Sequence, residues 1–92
     1  MTNLNNIVFY DCLPKLDLHG YDAQTAVVAI HDFIRDNQKM RNEVVVIVHG
    51  NGSGILRKVT DLTLRKNRNV LEYKGIIGNT GCTVVRIMFD SK

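Results

Sequence analysis

The six residues EVVVIV, Glu43 to Val48, run straight into His49 and then into glycines at 50, 52 and 54. A continuous β-branched run without alternation reads as a strand covered on both faces, or central in a parallel sheet. Such a strand cannot stand at the surface. The rest of the chain must lay strands on either side of it and pack a layer against it. The glycines that follow end the strand and leave a backbone without side chains just past its C-terminal end.

The remaining pattern supplies those layers. KLDLHG, Lys15 to Gly20, reads as a short strand stopped by glycine, with Leu16 and Leu18 on one face and Asp17 and His19 on the other. Asp22 is placed to cap a helix through AQTAVVAIHDFIRDNQK. Its apolar stripe is Ala23, Ala26, Val27, Ile30, Phe33 and Ile34, with Thr25, Asp32, Arg35 and Asp36 opposite and His31 at the border. After the glycines, ILRKVTDLTLRKN admits two readings. Asn51-Gly52 would suit a hairpin turn. However, Ile55–Leu56 and Arg57–Lys58 are adjacent pairs, which breaks a period of two. A helix with Ile55, Leu56, Val59 and Leu62 on one side fits better. VLEYKGI and TVVRIMF then read as two strands joined through IGNTGC. The order β-α-β-α-β-β predicts a two-layer α/β sandwich with a mixed four-stranded sheet. Residues 1–14, with Pro14 at their end, are expected to form an arm or an extra strand, and Tyr10 and Asp11 have no assigned place.

That order has a consequence for two histidines thirty residues apart. The first β-α-β unit should be parallel and right-handed. His19 and His49 then end neighbouring strands at the same sheet edge, where open α/β sheets bind ligands. Each precedes a helix start, whose unpaired amides and positive partial charge favour a phosphate. The backbone of Gly50, Asn51, Gly52, Ser53 and Gly54 can approach such a ligand closely, and Arg57 could add a bidentate contact. The glycines match neither a dinucleotide fingerprint nor a P-loop.

Composition narrows the partners. The chain has 92 residues, 45% apolar and 23% charged, which suits one soluble domain. No apolar run approaches the ~20 residues of a membrane span, and the first residues do not read as a signal peptide. Cys12 and Cys82 match no metal-ligand spacing, so a reduced, cytoplasmic protein is expected. Residues 1–54 hold four Lys/Arg and six Asp/Glu, a net of −2, while residues 55–92 hold eight and three, a net of +5. The basic half points to an anionic partner such as nucleic acid.

The stretches LDLHG and VHGNGSGILR, in this order and at this separation, resemble the Smr (small MutS-related) domain family, whose hallmarks are LDLH and HGxGxGxLR. GNTGCTVVRI is similar to the family's terminal GGxGVTVV strand, departing from it at Asn79 and Cys82. The resemblance covers roughly residues 15–90. It implies a fold like the C-terminal domain of translation initiation factor three over residues 15–92; the family occurs both as the C-terminal domain of some MutS-like proteins and as free-standing proteins, and a free-standing domain is the expectation here. It also implies nucleic-acid binding and, in many members, endonuclease activity: nicking or cutting DNA, or cleaving messenger RNA at stalled ribosomes. Carried onto this chain, the functional positions are Asp17, Leu18 and His19, then His49, Gly50, Gly52 and Gly54, with Arg57 close by.

The expected function is therefore phosphodiester cleavage in DNA or RNA. Imidazoles titrate near neutral pH, which suits His19 and His49 for the two proton transfers. Asp17 is placed to orient His19 or to hold a divalent cation such as magnesium or manganese. The glycine-loop amides and Arg57 would bind the phosphate, and Lys58, Arg65, Lys66 and Arg68 would extend the anionic groove. The rival expectation is a module that binds nucleic acid or the ribosome without cutting. A small-molecule phosphate binder is a third reading, but nothing in the sequence suggests an enclosed apolar pocket.

Overall fold

A computed structural model describes residues 12–76 and 78–89. The order is β1 (Lys15–Asp17), α1 (Ala23–Lys39), β2 (Val44–Val48), α2 (Ile55–Lys66), β3 (Val70–Ile76) and β4 (Asn79–Ile87). The four strands form one mixed sheet in the order β1-β2-β4-β3. β1 lies parallel to β2, with Asp17 opposite Val48, and β4 is antiparallel to both β2 and β3. The expected arm over residues 1–14 lies almost entirely outside the described residues, as do Tyr10 and Asp11.

The β-branched run has the double burial that its composition predicts. Val45 and Ile47 face the helices and join Leu18, Ala26, Ile30, Ile34, Leu64, Val85 and Ile87 in the main core. Val44 and Val46 face the other way and pack with Val84, Leu13, Ile76 and Cys82. With one strand on each side, β2 hydrogen-bonds along both edges, so nothing about it is free except its ends.

α1 begins as a capping box. The Asp22 carboxylate accepts the Thr25 N–H at 2.8 Å, and the Thr25 hydroxyl accepts the Asp22 N–H at 3.2 Å. Its buried residues Ala26, Ile30 and Ile34 follow the expected stripe, with Asn37 added at the end. Asn37 pays no burial penalty: its amide donates to the Phe33 carbonyl, and its side-chain oxygen accepts from Asn42. Ala23 is exposed.

Three expectations shift. α2 is a helix, but its inner face is not the one the apolar spacing suggests. Ile55 is 60% exposed and Leu62 43%, while Thr60, Thr63 and Leu64 are buried and Leu56 and Val59 pack on the core. A threonine buries a methyl as well as a hydroxyl, and an apolar count gives it no weight. β1 ends at Asp17 rather than at the glycine, because the Asp17 carboxylate turns the chain by accepting the His19 N–H at 2.9 Å. β4 starts at Asn79, inside the segment expected as a connection, and stops at Ile87.

Candidate functional site

Parallel pairing of β1 and β2 brings the two sequence motifs together. Leu18 N–H donates to the Val48 carbonyl at 2.9 Å, which fixes the ends of the two strands side by side. The residues just beyond them, Asp17, His19, Gly20, His49, Gly50, Asn51 and Gly52, line one open cleft of about 510 Å³. Asp17 and His19 are exposed in it. His19 uses its backbone N–H on Asp17, so this carboxylate oxygen shapes the turn rather than holding the imidazole.

His49 is placed differently from His19. It is only 7% exposed. Its Nδ1 lies 3.2 Å from the Gly50 carbonyl and its Nε2 lies 2.9 Å from the Thr83 hydroxyl. A carbonyl can only accept, so Nδ1 carries the proton, and Nε2 receives the Thr83 O–H when the ring is neutral. Burial holds the His49 pKa below an ordinary histidine's 6.5, the Gly50 carbonyl opposes that shift, and the Arg57 charge adds to it. The two histidines thus share a cleft but not an environment: His19 is open to solvent and His49 is a buried wall residue bonded at both ring nitrogens.

β4 holds the glycine loop from below. The His49 and Gly50 N–H groups both donate to the Gly81 carbonyl, at 2.8 and 3.0 Å, and the Thr80 hydroxyl donates to the Asn51 side-chain oxygen. A Cβ at Gly81 would come within 3.3 Å of the Gly50 Cα, so a side chain there would press on the loop backbone. Gly54 caps α2 in a left-handed conformation, φ 87°, without a side-chain cap. The Ile55 N–H reaches the Ser53 hydroxyl at 3.4 Å, and the Lys58 N–H closes the first turn on the Gly54 carbonyl. Among the described residues, the amides of Asn51, Gly52, Ser53 and Gly54 meet no acceptor. Next to a helix start, these open donors form a surface suited to an anion.

The basic candidates separate. Arg57 does not line the cleft; it lines a second groove between α2 and strands β3 and β4. Lys58 is exposed in the first turn of α2. Arg65, Lys66 and Arg68 sit at the other end of the helix. At ~1.5 Å per residue, Arg65 stands about 12 Å along the axis from Arg57. Arg65 is ion-paired with Asp61 at 2.8 Å, and Lys66 lines a shallow furrow between the helices with His31. These three do not join the cleft. For a metal, the cleft offers the Asp17 carboxylate, and among the described residues no group of three His, Cys, Asp or Glu converges. That donor set does not make a protein-built metal site. Thr83 and Thr80, which hold His49 and Asn51, carry no signal in a single sequence; only the β2–β4 pairing reveals them.

The paired motifs, now brought to one sheet edge on this topology, define a class of small α/β domain. A family profile described as the Smr domain matches residues 16–88, and the chain belongs to that family. It is similar to the protein named endonuclease MutS2 from Staphylococcus carnosus, 32% identical over 76 residues, and to that of Staphylococcus saprophyticus, 34% identical over 76 residues. Both alignments cover 79% of this chain but only 10% of the relative, so the chain spans about a tenth of the length of these curated relatives. The fold is that of the Smr domain of Thermus thermophilus MutS2, with a TM-score of 0.79 at 23% identity, covering 82% of this chain and 98% of that one. It is also that of YdaL, a stand-alone small MutS-related protein from Escherichia coli, with a TM-score of 0.75 at 20% identity, covering 80% and 63%. Among the described residues, no helix is long and apolar enough to cross a membrane.

Proposed function

We propose that this chain binds nucleic acid and cleaves a phosphodiester bond in the cleft between LDLH and the glycine loop. One observation carries the reading: an exposed imidazole, His19, shares a cleft with a loop whose amides at Asn51 to Gly54 are unpaired and lead into the start of α2. Cleavage forms a bond from phosphorus to an attacking hydroxyl oxygen and breaks the bond to the leaving oxygen. One proton must leave the nucleophile and one must reach the leaving group. His19 is the group we assign to proton transfer. The open amides meet the charge that builds on the phosphate oxygens. Asp17 and His49 act as positioning residues: Asp17 sets the turn that presents His19, and His49 fixes the loop on β4. The name endonuclease carried by the Staphylococcus relatives supports the activity.

A second reading has its own observation. His49 is buried and bonded at both ring nitrogens, which suits a structural post better than an exchanging base and is compatible with a module that only binds. One assay separates the two. The wild type and His19→Ala are incubated with supercoiled plasmid and with single-stranded RNA, with and without chelator, and binding is measured in parallel. General acid–base catalysis contributes about 10²–10⁴-fold. His19→Ala is expected to lose cleavage by that order and keep its affinity and melting temperature. Undiminished cleavage in the variant refutes the assignment of His19, and no wild-type cleavage with retained binding leaves the binding module.

A further inference from the structure

The bonded pairs Thr83–His49 and Thr80–Asn51 form a wall with a hollow on each side. One face is the cleft already described. The other is a groove of about 430 Å³ between the first turns of α2 and the β3–β4 hairpin, lined among others by Arg57, Tyr73, Lys74, Gly75, Thr80 and Thr83. The partition is two bonded side chains thick. Thr83 lines the groove and bonds to His49, which lines the cleft, and Thr80 lines the groove and bonds to Asn51, which also lines the cleft.

The charge of the groove is positive. Arg57 makes no ion pair among the described residues and lies near enough to act on His49 through its charge. Lys74 also lines the groove and has an interaction of its own. The acid in the lining, Asp61, is matched by Arg65. A nucleic-acid strand carries a phosphate on every nucleotide, so a strand held at one phosphate in the cleft has a second phosphate one nucleotide away. The groove on the far side of that wall supplies a cation, Arg57, for that phosphate, and the half-buried edge of the Tyr73 ring forms part of its lining.

We infer that this groove seats the nucleotide next to the scissile phosphate, with Arg57 binding that neighbour's phosphate rather than the reacting one. The inference rests on reading the cleft as a nucleic-acid site. It assigns Arg57 to strand binding and makes the β3–β4 hairpin part of the interface.

Gly75 allows a direct test. It lines the groove, a Cβ there meets nothing within 4 Å, and its φ is outside the left-handed range, so a side chain can be added without backbone strain. Gly75→Phe plugs the groove and Gly75→Ala is the control for the fold. Fluorescence anisotropy is measured with short labelled single strands of DNA and, separately, of RNA over a range of salt. Gly75→Phe is expected to weaken binding at least ~10-fold with the salt slope unchanged, and Gly75→Ala to bind as wild type. Arg57→Gln, an exposed change, is expected to weaken binding and lower the salt slope by about 1, as one lost phosphate contact does. Wild-type affinity in folded Gly75→Phe overturns the groove, as does an unchanged salt slope in Arg57→Gln should Gly75→Phe not fold. Loss in the DNA arm alone or the RNA arm alone supports the groove and names the sugar it reads. A wild type that binds neither strand overturns this inference and the nucleic-acid reading together. A wild type that binds but does not cut, with Gly75→Phe still weakened, keeps the groove while removing the nuclease.

Discussion

Replacing Thr83 by valine removes one hydroxyl from beside His49 and little else. Thr83 lies opposite Ile47 in the β2–β4 ladder, and valine is at least as comfortable in a strand. What is lost is the 2.9 Å bond to Nε2. The ring is 7% exposed, so its lone pair then faces a methyl group with little access to water. An orphaned buried acceptor costs about 1–3 kcal/mol, and valine's strand preference offsets a few tenths. A net loss of about 1–2 kcal/mol corresponds to a fall of roughly 5–15 °C in melting temperature for a domain of this size. Calorimetry or thermal circular dichroism on wild type, Thr83→Val and Thr83→Ser measures it. Serine keeps the hydroxyl and should recover most of the loss. Nitrogen-15 spectra of His49 supply the second readout: in the wild type at neutral pH, Nδ1 carries the proton and Nε2 does not. Thr83→Val melting within about 1 °C of wild type, with the serine variant no different, would refute the claim that this hydroxyl anchors the ring.

Stability should also fall with acid in two separate windows. The folded pKa of His49 is depressed, so the unfolded chain takes up its proton first; the contribution is complete above pH 6.5 and is lost as pH drops through that value toward the folded one, by at most about 1.4 kcal/mol per pH unit. His49→Gln should flatten the denaturant midpoint across that window. The Asp22 carboxyl is also depressed, chiefly by the Thr25 backbone N–H and then by the Thr25 hydroxyl, so its contribution is present above pH 3.8 and disappears below it; Asp22→Ala should remove only the lower step. Gly54→Ala forces a side chain into φ 87° and should cost about 1–2 kcal/mol in thermal unfolding, where Gly52→Ala, with no left-handed φ and open space around it, should cost less. Asp17→Asn keeps an oxygen for the His19 N–H and should melt with the wild type, whereas Asp17→Ala should lose about 0.5–1.5 kcal/mol with that bond.

Most of the fold was legible because its strongest signals are local. A β-branched run records burial on both faces in its own composition, and Val44 to Val48 is central and doubly covered. An Asp two residues past a glycine, before a 3.6-residue apolar period, marks a helix start, and Asp22 caps α1. α2 was harder to read in detail. Its helical period was visible, but its inner face depends on Thr60 and Thr63, whose burial is set by α1 and the sheet rather than by their type.

The site divides along the same line. That His19 and His49 share an edge follows from the order β-α-β and the handedness of the crossover, both available in one dimension. The sequence alone therefore determined the family motifs, the layer order and the meeting of LDLH with the glycine loop. Tertiary structure decided what each member is able to do there. Whether an imidazole is open or buried depends on what the antiparallel β4 places beneath it, and residues 80–83 reach His49 and Asn51 only through pairing across thirty residues. The direction of Arg57, into the rear groove rather than the cleft, is likewise set by the rotation of α2 on its core, which an apolar count misjudged because two threonines carry that contact.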